Sequence, residues 1–236
     1  MKKFAFTAVC ICLGISLTAH AKDPSFVAAA ETHSFLILPT PADAQSDKTR
    51  AELAELHRYE GARTEAQKVA AMADDKNETI FLFQQQFGDW FNAQALPLTA
   101  AFGVRVKNDE GINTAAAKEG FARVRPYNQD HSLHPVCVTK TRDDSYPSGH
   151  ATTGYLMALT LIDMAPEKRD VLLARADDYA NNRLVCGVHY ASDLQASKLL
   201  AYAMHAVMNT NPRYRQELAA ARQELRQTLG LAPAVN

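Results

Sequence analysis

The chain lacks most of what would mark a membrane protein, a nucleic-acid binder or a disulfide scaffold. Its 236 residues include 4 cysteines, 1 tryptophan and only 10 prolines. After residue 21 no segment approaches the run of about 20 apolar residues that a spanning helix requires. There is no basic surplus, with 25 Lys and Arg against 26 Asp and Glu, which argues against nucleic acid as a main partner. Strand-like alternation of apolar and polar residues is almost absent, which argues against a sheet protein. Internal repeats and low-complexity linkers are missing too, and the length suits one domain.

The N-terminus reads as a secretory signal over residues 1–21. Lys2 and Lys3 are followed by an apolar stretch from Phe4 to Leu17, too short for a comfortable membrane span. Ala19-His20-Ala21 then fits a small-x-small cleavage site, with the polar Lys22-Asp23-Pro24 directly after it. Lys2 and Lys3 carry two of the 25 basic charges, so the remainder has 23 against 26 acidic, a formal charge of −3. Cleavage would also remove Cys10 and Cys12. The two cysteines left, Cys137 and Cys186, are a disulfide candidate in an oxidising compartment; two buried free thiols are the alternative.

Residues 22–44 read as an extended segment, because Leu38-Pro39-Thr40-Pro41 opposes helix. From 45 to 236 the pattern is helical. Two helices are expected within 46–74, then helices over 78–95, 112–124, 150–164, 167–185, 190–209 and 213–229. Pro166 and Pro212 fall where proline opens a helix. The expected fold is all-α, a single-domain bundle of antiparallel helices. The aromatic-rich stretch 81–91 reads as core packing. Arg213 to Arg226 reads as a solvated face with i, i+4 ion pairs.

Three polar clusters stand out against this background: Lys118-x6-Arg125-Pro126, Pro147-Ser148-Gly149-His150 and Arg183-x5-His189-x3-Asp193. Ser148 is a good N-cap for a helix starting near Gly149, and a helix start is a seat for an anion. Lys118 and Arg125 are seven residues apart, on nearly one helix face, with Pro126 ending the helix. Gly187 is placed to close the helix that carries Arg183. Asp193 lies one helical turn after His189, where it can fix the ring tautomer and leave the other nitrogen free to attack. The same spacing could hold a metal, but three cations in one pocket argue against that. Arg123 matches no part of the pattern and is left outside the site. His131, His134, Asp143 and Asp144 read as loop or rim residues.

The three clusters resemble the signature of the type 2 phosphatidic acid phosphatase (PAP2) superfamily, which also contains vanadium haloperoxidases. The stretches Phe121-Ala122-Arg123-Val124-Arg125-Pro126-Tyr127, Ser145-Tyr146-Pro147-Ser148-Gly149-His150 and Arg183-Leu184-Val185-Cys186-Gly187-Val188-His189-Tyr190 are similar to the bacterial class A non-specific acid phosphatases within it. Asn182 stands where the family usually has Ser, and Ala151 where Thr often follows the His. The resemblance implies a periplasmic, metal-independent enzyme that hydrolyses small phosphomonoesters without a cofactor, as a homo-oligomer. It implies that Lys118, Arg125, Ser148, Gly149 and Arg183 hold phosphate. His189 would be the nucleophile, Asp193 its orienting partner, and His150 the general acid and base. Two other classes stay open: a vanadate-dependent haloperoxidase, and a non-catalytic oxyanion-binding protein.

Overall fold

The computed structural model of the chain describes residues 23–137 and 143–231. The signal expected over 1–21 lies outside the described residues. Among the described residues eleven α-helices follow in order: α1 (Ala29–Thr32), α2 (Ser34–Ile37), α3 (Asp47–Ala62), α4 (Glu65–Lys76), α5 (Gln84–Phe87), α6 (Pro97–Phe121), α7 (Pro126–Gln129), α8 (Gly149–Met164), α9 (Arg169–Cys186), α10 (Ala191–Met208) and α11 (Pro212–Thr228). Short 3₁₀ turns precede α5 and α9. No strand occurs among the described residues, and no helix there is long and apolar enough to cross a membrane. The fold is all-α.

Helix α8 is the axis of the molecule. Nearly all of it is buried, from Ala151 to Leu161, and it packs against α9, α10, α6 and α11. A helix buried all round needs no amphipathic stripe. The contact with α9 is close at Gly154, where a Cβ would stand 2.7 Å from the Tyr179 ring. Burial of Leu156, Met157, Leu161, Leu172, Leu200 and Met204 around this axis supplies the main apolar core, worth roughly 1.5–3 kcal/mol for each fully buried side chain.

Local signals set the helix ends near the site. Ser46 and Thr64 cap α3 and α4 by accepting from Thr49 N and Gln67 N. Ser148 caps α8 by accepting from Ala151 N. Helix α9 ends at Gly187, whose φ of 75° is costly for any residue with a Cβ. Helix α6 ends at Ala122, also left-handed (φ 44°), which turns the chain so that Arg125 and Lys118 face the same region. Cys137 and Cys186 are bridged (S–S 2.02 Å), tying the loop after α7 to the end of α9.

Three expectations are corrected. The helix expected over 78–95 is a 3₁₀ turn at Ile80–Phe83 plus the four residues of α5. Gly88 (φ 93°) ends α5, and turns stabilised by the Asn92 side chain follow. The expected packing role of its aromatics holds for Phe83 and Phe91, both fully buried, whereas Trp90 is exposed. The helix expected over 112–124 begins at Pro97, because Asp109, Glu110 and Asn113 occupy its core face and disguise the apolar period. Within 22–44, two short helices interrupt the extended chain; Asp109 anchors this segment by accepting from Ser25, Phe26 and Val27 N.

Candidate active site

The ends of α4, α6, α8 and α9, with the segments leading into α7 and α10, surround a cavity of about 280 Å³ lined by Lys118, Arg125, Gly149, His150, Arg183 and His189, together with Asp75 and Asp144. The first six come from all three sequence clusters. Ser148 and Asp193 do not line the cavity. Ser148 is fully buried behind it, where its N–H donates to Ser197 Oγ (2.8 Å) and its side chain caps α8. Asp193 is fully buried behind His189.

His189 is held from both sides. Its Nδ1 lies 3.2 Å from Asp193 Oδ2, and its Nε2 lies 2.9 Å from Arg125 NH1. A guanidinium only donates, so Nε2 is the unprotonated nitrogen and Nδ1–H donates to Asp193. Burial pushes the His189 pKa well below the usual imidazole range, and Arg125, Lys118 and Arg183 add to the effect. The ring is neutral, and its one lone pair, on Nε2, accepts from Arg125 at the cavity wall.

Asp193 is also held by groups beyond His189. Its carboxylate accepts from Ser145 Oγ (2.6 Å), Tyr190 N (2.9 Å) and Arg123 NH1 (2.6 Å). Burial raises its pKa, opposed chiefly by Arg123. Arg123 also donates to Glu52 Oε2 (2.9 Å) and lies 3.8 Å over the Tyr190 ring. Arg123 therefore belongs to the support of the site, contrary to the expectation that it lies outside.

The cations of the cavity are compensated from within. Arg125 Nε donates to Asp144 Oδ1 (2.8 Å), and Lys118 donates to the Asp144 carbonyl. Arg183 NH1 donates to Asp75 Oδ1 (2.5 Å), while the buried Arg183 Nε has no hydrogen-bond partner among the described residues. Lys118 is driven down to about 8 by burial and then by Arg125. A cluster of buried donors with one left over suits an oxyanion.

His150 sits at the opening of α8. Its Nε2 donates to the Asp75 carbonyl (3.0 Å), so Nε2 carries the proton, and Nδ1 lies 3.7 Å from Glu78 Oε1. Burial, then Arg183, lowers its pKa to about 4, with Glu78 pulling the other way. Glu78 in turn accepts from Lys107 (2.8 Å), which also holds Glu110 (2.5 Å).

Other sequence candidates are placed elsewhere. His134 is exposed and pairs with Glu60 (3.0 Å). Asp144, read as a rim residue, pairs directly with two cluster cations. Asp75, Glu78, Lys107 and Glu52 gave no motif, since their partners are fixed only by tertiary contact. Asp75, Cys137 and Cys186 come close enough to suggest metal ligands, but the two sulfurs are bonded to each other.

The pattern of the PAP2 superfamily matches residues 96–217, which contain all three clusters. A non-specific acid phosphatase of Providencia stuartii is 28% identical over 204 residues, covering 81% of this chain and 80% of that protein. An acid phosphatase of Zymomonas mobilis is 33% identical over 135 residues, covering 55% of this chain and 50% of that protein. A non-specific acid phosphatase of Salmonella typhimurium is 34% identical over 117 residues, covering 48% and 46% respectively. The match thus takes in most of the first relative's length and about half of the other two. The chain belongs to the PAP2 superfamily.

Proposed function

We propose that this member of the PAP2 superfamily is an exported, metal-independent acid phosphatase that hydrolyses phosphomonoesters through a phosphohistidine. The observation that carries the reading is the cavity itself. Three cations and the start of α8 converge on it with a neutral, oriented His189 and with His150 beside it. The acid phosphatases among its relatives support the same reading.

The chemistry follows from these positions. The phosphoryl oxygens take over donors of Lys118, Arg125 and Arg183 and the amide N–H groups at the start of α8, which the Ser148 cap holds in place. His189 Nε2 attacks phosphorus in line, and the phosphorus–oxygen ester bond breaks as the nitrogen–phosphorus bond forms. The developing positive charge on the imidazole is stabilised by Asp193 through Nδ1–H. His150 gives a proton to the departing alkoxide. It then takes one from water as water attacks phosphorus and frees His189.

Proton supply explains an acidic working range. With the pocket empty, His150 holds its extra proton only below about 4. A phosphate anion offsets Arg183 and moves that pKa upward. The basic limb of kcat therefore lies at higher pH than that of kcat/KM.

The test is phosphate release from nucleotides, sugar phosphates and phosphatidic acid, with His189→Ala as the control. Loss of the nucleophile lowers kcat by about 10³-fold or more while the protein stays folded. Rapid acid and base quenches of a labelled ester should leave an acid-labile, base-stable phosphoryl group on His189. Near-normal turnover by His189→Ala overturns the mechanism. Stoichiometric phosphate binding with no turnover of any ester favours a binding protein. Halide oxidation that depends on added vanadate favours a haloperoxidase.

A further inference from the structure

From the charges of the cavity we infer that the enzyme selects phosphomonoesters whose alcohol portion is neutral or cationic, and discriminates against esters bearing a second anionic group. The inference rests on the phosphatase reading and adds what that reading leaves open, the class of leaving group.

The cavity wall carries Lys118, Arg125 and Arg183 against Asp75 and Asp144, a surplus of one positive charge. His189 is neutral, and His150 is neutral above about 4. With His150 protonated as the general acid, a phosphate dianion uses up the cationic charge of the site. A carboxylate or second phosphate on the leaving group has no remaining cation to meet, whereas an ammonium group meets the carboxylates of Asp75 and Glu78.

The geometry places the negative charge on the side where the alcohol leaves. Arg183 is shared between Asp75 and the incoming phosphate. When phosphate takes its donors, the Asp75 carboxylate gives up its 2.5 Å partner. Asp75 is next to His150 in space, with Oδ1 3.8 Å from Nε2. Glu78 is also beside this histidine and partly exposed. Lys107 is the near cation here, but it holds both Glu78 and Glu110 and so leaves that trio with a net negative charge. His150 must approach the leaving oxygen to protonate it, so the alcohol portion departs past Asp75 and Glu78.

The experiment compares kcat/KM for O-phosphoethanolamine, glycerol 1-phosphate and 3-phosphoglycerate at one pH and ionic strength. A single like or opposite charge within ~10 Å at an effective dielectric near 20 corresponds to about tenfold in rate. The neutral ester should exceed the carboxylate ester by about that factor, and the cationic ester should exceed it by more. The series is repeated with Asp75→Asn, which keeps the backbone carbonyl that holds His150, and independently with Asp144→Asn. Either folded variant should compress the ratio between the first and last ester by about threefold or more, whatever happens to its absolute rate. Comparing each variant's ratio with that of the wild type cancels intrinsic differences in leaving-group reactivity. Equal wild-type rates across the series, or ratios unchanged in both variants, overturn the inference while leaving the phosphatase reading intact. If the wild-type protein turns over none of the esters, the phosphatase reading has failed and this inference with it.

Discussion

Replacing Arg123 by leucine tests the electrostatic support beneath His189. Arg123 is almost wholly buried, and it holds two buried carboxylates, Asp193 on α10 and Glu52 on α3, at 2.6 and 2.9 Å. Leucine fills part of the volume but leaves both carboxylates without their cation. Asp193 keeps Ser145 Oγ and two N–H partners, while Glu52 keeps Ser192 N. Breaking a buried ion pair from one side costs about 3–5 kcal/mol, because the remaining charge stays desolvated. Urea unfolding should show a loss in that range at pH 7 with an unchanged m-value. The loss should shrink as pH falls. Asp193, already raised by burial, rises further without Arg123 and becomes neutral in the acid range. Arg123→Lys keeps a charge but loses the fork that spans two carboxylates, and should cost less. A loss below about 1 kcal/mol, or one that does not vary with pH, would refute the reasoning.

On the proposed export, the cleaved protein should contain no alkylatable thiols when denatured without reductant, and Cys186→Ser should lose roughly 2–4 kcal/mol, because the bridge closes a sequence separation of 49 residues. Chelators should leave phosphate release unchanged while orthovanadate inhibits competitively; restoration of chelated enzyme by zinc or magnesium would favour a metal mechanism at His189 and Asp193. The lowered pKa values of His150 and His189 make their contribution to stability full above about 6.5 and lost as pH falls, toward about 4 for His150. Melting temperature should therefore drop below pH 6.5, orthophosphate should offset part of the drop, and calorimetry in buffers of different ionisation enthalpy should register proton uptake on binding.

What the sequence made legible was whatever depends on short spacing. A cap followed by a helix start, a glycine closing a helix, and a histidine one turn before an aspartate are local events. Ser148, Gly187 and the His189–Asp193 pair follow from them directly. The groups that compensate these residues were hidden because they are far away in the chain. Asp75 is 108 residues from Arg183, and Glu52 is 71 from Arg123. The start of α6 was hidden for a different reason. Asp109 and Asn113 face inward to tie down the N-terminal segment, so the helix does not carry the apolar stripe by which helices are read. The stretch 78–95 failed in the opposite sense: its aromatics fall near helical spacing, but Gly88 and Asn92 hold them in turns.

The internal compensation of the cavity bears on function as much as on folding. Burying Lys118, Arg125 and Arg183 together with nothing between them would be costly, since each is desolvated and repels the others. Asp75, Asp144 and the carbonyls of Asp144 and Val188 meet that cost in the empty protein. On the proposed reading, a phosphate group that enters takes the unpartnered Arg183 Nε and otherwise competes with these partners, so its gain falls short of the full attraction of three bare cations. Ground-state binding is weakened by that difference. A trigonal bipyramidal transition state, with charge spread over three equatorial oxygens, can engage more of the donors at once and loses less of the gain. An interaction that is partly cancelled for the bound ester and for product phosphate, but not for the transition state, raises turnover. On that reading, the same carboxylates that make the pocket foldable limit how tightly orthophosphate can hold the enzyme after each cycle.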